Sequence, residues 1–124
     1  MTAAAIAGLR VLVLDDEAMV LLLIEDMLQE LGCAVVGPFA RATDALRLID
    51  QLPPEAALLD VNLSHGETGY VVADALAARG VPFAFVTGYD PAALREPHRT
   101  RPLLQKPFRM EALAKLLATL AASR

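Results

Sequence analysis

Apolar positions in this chain fall in short uncharged blocks rather than in residue-by-residue alternation. Residues 56–59 and 83–86 are wholly apolar, and residues 9–14 and 103–105 are nearly so. Runs of this length without alternation suit strands buried on both faces, as in a parallel sheet. Each block ends on a polar group: Asp15-Asp16 after the first, Asp60 after the 56–59 run, Thr87 after the next and Lys106 after the last. A fifth block, Ala34, Val35 and Val36, is closed by Gly37-Pro38 with no polar group close behind, which predicts a strand lying away from any site.

Between these blocks the apolar spacing changes to that of helices. A first helix is predicted from near Glu17 to Leu31, with Gly32 in the stop position, and its wide apolar surface predicts that it is well buried. Ala42, Ala45, Leu46 and Ile49 mark one face of a second helix that ends before Pro53-Pro54. A third runs from about Tyr70 to Arg79 and is stopped by Gly80. Asp90-Pro91 is a good helix start, but Pro97 ends that helix near Glu96, so the fourth is short or irregular. Met110, Leu113, Leu117 and Leu120 line the last, which reaches about Ala122.

Five strands alternating with helices through right-handed crossovers predict a three-layer α/β/α sandwich around a parallel sheet. Strand order 2-1-3-4-5 makes strands 1 and 3 neighbours at the topological switch point, where Asp15, Asp16 and Asp60 converge with Thr87 and Lys106 on the rim. The 124 residues, 56% of them hydrophobic, fit a single domain with an ordered core of about residues 8–122 and leave no room for an output domain.

Three adjacent carboxylates repel one another, and a hard divalent cation relieves that repulsion. Mg²⁺ takes oxygen ligands, commonly one or two carboxylates with waters and phosphate oxygen. Asp16 and Asp60 are the expected direct ligands, the Asn62 backbone carbonyl a third, and Asp15 acts through water. A lysine and a threonine facing the acids suit a phosphoryl group, whose spread charge needs a cation and a hydroxyl donor. With Asp60 as nucleophile the product is an aspartyl phosphate. There is no G-x-x-x-x-G-K-[ST] loop, so the phosphoryl group is expected from another protein or a small donor.

Charge and composition narrow the partners. A net charge of -4 argues against nucleic-acid affinity. No apolar run approaches the ~18 residues that span a bilayer, so a cytoplasmic protein without membrane partner is expected, a monomer or weak dimer. The one cysteine, Cys33, is expected to pack as a small apolar residue. His65 and His98 read as surface loop residues, and Arg95, His98, Arg99 and Arg101 as a solvated basic cluster.

Asp15-Asp16, Asp60, Thr87 and Lys106-Pro107, in this order and spacing, resemble the response-regulator receiver domain over essentially the whole chain. The resemblance implies a flavodoxin-like (βα)5 fold, phosphorylation of Asp60 by a histidine kinase with Mg²⁺ bound, a cis Lys106-Pro107 bond, and signalling to an effector protein through a changed surface rather than action as an enzyme on other substrates. Phe83 through Tyr89, with Pro107, Phe108 and Arg109, resembles the single-domain "FATGUY" regulators of alphaproteobacteria, which implies a kinase of the HWE or HisKA2 type. The chain departs from the pattern at Val86, at Ser64 and in a loop from Asp60 to Gly69 that is one residue longer than usual. Leu103 stands where many receivers carry an aromatic switch residue. With Gly88, Pro91, Pro97 and Pro102 in the segment before β-strand 5, residues 89–101 are expected to have low local stability and to become ordered on phosphorylation. A phosphate sink shares these features. An aspartyl-phosphate phosphohydrolase is disfavoured because Asp60-Val61-Asn62 lacks the second acid.

Overall fold

The computed structural model describes residues 5–61, 63, 68–88 and 98–123. Five strands, β1 (Arg10–Leu14), β2 (Ala34–Phe39), β3 (Ala56–Leu59), β4 (Phe83–Thr87) and β5 (Leu103–Gln105), pair in parallel in the order β2-β1-β3-β4-β5. Four α-helices accompany them among the described residues: α1 (Ala18–Glu30), α2 (Ala42–Gln51), α3 (Tyr70–Ala78) and α4 (Met110–Ala122). The β4–β5 connection contains one 3-10 turn, His98–Thr100; the short helix predicted to start at Asp90 falls outside the described residues.

Strand alternation sorts the core into two halves. Leu12, Leu14, Ala57, Leu59, Phe83 and Phe85 pack with α2 and α3, while Val11, Val13, Ala56, Leu58, Ala84 and Val86 pack with α1 and α4. Both phenylalanines of β4 therefore lie on one face, edge to face at 5.7 Å, and both are fully buried. Cys33 is buried as expected. Its Sγ lies 3.5 Å from the Ile6 carbonyl, and burial pushes the thiol pKa up.

Two expectations are corrected. Helix α1 is not well buried: Ile24 and Leu28 meet the sheet, but Met19, Leu22 and Leu23 are 77%, 57% and 50% exposed. A helix on a sheet covers one stripe, and nothing among the described residues covers the other apolar side of α1. Strand β2 does not close at Gly37-Pro38 but runs through that cis bond to Phe39. An edge strand tolerates a missing N–H, and the extra residue is taken up by a register shift, Leu12 facing Val36 but Leu14 facing Phe39. Gly37 has a φ of +100°, and a Cβ there would lie 2.8 Å from the Phe39 ring. No described helix is long and apolar enough to cross a membrane.

Candidate functional site

Register brings the acids together. Leu14 and Leu59 are direct partners in the β1–β3 ladder, so the next residue of each strand, Asp15 and Asp60, emerges at the same sheet edge. The Asp60 N–H donates to the Leu14 carbonyl at 2.8 Å, and the Asp15 N–H to the Phe39 carbonyl at 3.0 Å. The edge strand thus steadies the acid pocket although it carries no chemistry of its own. Asp15 and Asp60 are buried and Asp16 half-buried, and one carboxylate oxygen from each lies within 4.8 Å of the others.

Lys106 enters from the far side of the sheet. Its N–H donates to the Thr87 carbonyl at 2.9 Å, which continues the β4–β5 ladder one step past the strands. The ammonium donates to Asp15 Oδ2 at 2.9 Å and Glu17 Oε1 at 3.3 Å, and lies 3.6 Å from Asp60 Oδ2. Burial by itself would lower its pKa. The hydrogen bond it donates to Asp15, the charges of Asp60 and Asp15 and the contact with Glu17 outweigh burial and raise it above the ordinary lysine value. Thr87 is fully buried at the end of β4, and the Lys106-Pro107 bond is cis.

Four carboxylates, of Asp15, Asp16, Glu17 and Asp60, against one ammonium leave an excess of negative charge, and all the donors are hard oxygens. The cluster of Asp15, Asp16 and Asp60 is positioned to coordinate a divalent cation such as Mg²⁺. Asn62, whose carbonyl is the expected third direct ligand, lies outside the described residues.

Two contributors escape a reading by motif. Glu17 reads as helix-terminal charge, yet its carboxylate shares Lys106, and its own N–H donates to Asp15 Oδ1 at 2.9 Å. Gly69 donates its N–H to the Val61 carbonyl at 2.7 Å and packs so tightly that a Cβ would sit 2.0 Å from the Asp60 carbonyl oxygen. A glycine just before an apolar helix is the only sequence signal for it.

The histidine expectation is corrected. His98 is no surface residue: it is 3% exposed, its Nε2 lies 2.6 Å from Asp74 Oδ1, and its ring lies among Tyr70, Phe83 and Phe85. Phe83 and Phe85 project towards α3, and an imidazole fills the space there because Asp74 satisfies its polar edge. Arg101 also turns to the core, with its guanidinium 4.4 Å from the Phe83 ring centroid, so these two residues do not form a solvated basic cluster. His65, Arg95 and the side chain of Arg99 lie outside the described residues. So does most of the segment expected to order on phosphorylation, while its far end, at His98 and Arg101, is packed.

Beside the acid pocket, Val20 and Leu23 of α1 with Lys106, Pro107 and Phe108 line an apolar groove of about 330 Å³.

Comparison with known proteins agrees with this geometry. The response regulator receiver domain profile matches residues 11–118. The chain is 30% identical over 109 residues to the phyllosphere-induced regulator PhyR of Methylorubrum extorquens; the match covers 85% of this chain and 40% of PhyR, so the chain spans about two fifths of that relative's length. SdrG from Sphingomonas melonis Fr1 is 40% identical in a superposition covering 94% of this chain and 97% of SdrG, with a TM-score of 0.80. The receiver domain of the sensor histidine kinase PA1611 from Pseudomonas aeruginosa PAO1, solved with a magnesium ion coordinated in its active-site cleft, is 25% identical, with a TM-score of 0.76 over 94% of this chain and 99% of that one.

Proposed function

This chain belongs to the response-regulator receiver family, and from that premise we propose that it is a phosphorylation switch in which Asp60 accepts a phosphoryl group from a histidine kinase. The observation that carries the reading is Lys106, held 3.6 Å from Asp60 at the ends of β3 and β5, beside a second acid that keeps its ammonium in place.

A carboxylate oxygen of Asp60 attacks phosphorus in line with the leaving group. The phosphorus–nitrogen bond of the donor phosphohistidine breaks, the nitrogen keeps the electron pair and takes up a proton, and an acyl phosphate forms on Asp60. Lys106 and the Thr87 hydroxyl donate to the phosphoryl oxygens, where charge is spread in the transition state. Asp15 orients Lys106. Asp16 and Asp60, with the Asn62 carbonyl, would hold the metal directly and Asp15 would act through water. Bound Mg²⁺ supplies charge neutralisation between the acids and the incoming phosphoryl oxygens.

The groove beside Lys106, lined by Val20, the exposed Leu23, Pro107 and Phe108, forms an apolar rim on the acid pocket, which favours a protein donor that covers it over a small anion alone. Phe83, Thr87 and Gly88, with Pro107 and Phe108, support the FATGUY subgroup, and with it a kinase of the HWE or HisKA2 type and an effector protein as recipient of the signal.

Intact-mass measurement after incubation with Mg²⁺ and acetyl phosphate tests the core of the reading. One phosphoryl group is expected on the parent chain and none on Asp60→Asn; retention of the added mass by that variant overturns the assignment.

A further inference from the structure

His98 is the most deeply buried basic side chain described and has no part in the chemistry above. Two residues one turn apart on α3 grip it. Tyr70 stacks on the imidazole, with centroids 6.2 Å apart and planes 13° from parallel, and Asp74 sits 2.6 Å from Nε2. An ionised carboxylate can only accept, so Nε2 carries the hydrogen.

Both ends of this clamp reach the phosphoryl site. On one side, Tyr70 opens α3 immediately after Gly69, which is packed on the Asp60 carbonyl and bonded to Val61. The space for a Cβ does not exist there, so the Asp60 backbone cannot shift without moving the start of α3. On the other side, the His98 carbonyl accepts from the Arg101 N–H, the Pro102 carbonyl accepts from the Phe85 N–H, and β5 follows directly and ends at Lys106. Tyr70 also meets Phe85 edge to face at 5.8 Å, and Arg101 lies over Phe83. Imidazole, phenol and both phenylalanines of β4 thus form one packed unit joining α3 to the approach of β5.

We propose that His98, held by Tyr70 and Asp74, is a positioning residue that couples phosphoryl occupancy at Asp60 to the turn His98–Thr100 and β5. This rests on the receiver reading, and it supplies a path from the Asp60 backbone that runs through α3 rather than through the Thr87 hydroxyl. Leu103, on β5, has no ring with which to do this; His98, five residues earlier in the chain, packs one against Phe83 and Phe85 from the α3 side.

Coupling is reciprocal: if ligand at Asp60 alters the clamp, altering the clamp must alter affinity at Asp60. Asp74 is 68% exposed, so its replacement opens no cavity in the core and removes only the partner of His98 Nε2. The test follows Asp60 amide and His98 ring resonances in the full chain while Mg²⁺ and beryllofluoride are titrated. The His98 ring signals are expected to shift along the same binding curve as Asp60. Asp74→Ala is expected to change beryllofluoride affinity about fivefold, the factor that corresponds to one ordinary hydrogen bond, and Asp74→Asn, which keeps an acceptor oxygen, to restore most of it. If Asp60 responds while the His98 ring does not, and Asp74→Ala stays within about twofold of the parent, His98 is a packing residue only and the proposal is overturned. If Asp60 itself does not respond, the receiver reading falls and this inference with it.

Discussion

Lys106 and His98 are basic side chains from the same stretch of chain, yet they are held in opposite ways. Lys106 meets three carboxylates in a pocket open to ligands, and its contacts are ionic. His98 meets one carboxylate at its edge and three aromatic rings around it, and its contacts are mostly packing. Charge that must move or be shared during chemistry is kept where water and a metal can reach it. A polar group that locates a backbone is placed where close packing allows one geometry.

This contrast can be broken at either end. The largest effect is expected at Lys106: Lys106→Ala should slow phosphorylation of Asp60 by acetyl phosphate about 10²–10³-fold, the usual cost of losing one donor to a charge that develops in the transition state. Time courses of intact mass would measure it, and a rate near the parent's would mean that the ammonium is only a counterion. Next in size is His98→Ala, expected to lower unfolding free energy by about 3 kcal/mol in urea titrations, because a buried ring is cut to a methyl. His98→Phe should recover the packing part, and equal loss in both variants would show that the bond to Asp74 dominates.

Asp16→Ala sharpens the ionic side. It should abolish the Mg²⁺ dependence of phosphorylation, yet leave the metal-free melting temperature unchanged or higher, since one source of repulsion is gone. A clear drop in melting temperature would mean the acids are held by partners stronger than their repulsion. The smallest effect on stability is expected for Leu23→Asp on the exposed side of α1, within about 0.5 kcal/mol. Transfer from a cognate kinase should nevertheless slow while acetyl phosphate still works, and equal slowing with both donors would argue that the groove shapes the pocket instead of docking a protein.

The fold and most of the site could be read from the chain because they depend on local pattern. Unbroken apolar runs imply buried parallel strands, and a polar residue after each run implies chemistry at one sheet edge; the observed order β2-β1-β3-β4-β5 and the meeting of Asp15, Asp16, Asp60 and Lys106 agree with that reading. Glu17 was hidden by an ordinary role, since an acid at a helix start has a local explanation whether or not a lysine from a distant strand reaches it.

What only the tertiary structure decided are contacts between segments remote in sequence. A histidine between a proline and an arginine carries no periodic signal, and its burial depends on the space that Phe83, Phe85 and Tyr70 leave beside Asp74. The exposure of Met19, Leu22 and Leu23 is equally non-local: the apolar count of α1 was plain in the sequence, but which of its sides meets the sheet is set by packing. The need for glycine at position 69 arises from the Asp60 carbonyl, which approaches through space after the loop has closed. Hydrophobic period specifies elements and their order, whereas close packing between elements selects which side chains are buried, paired or left outside.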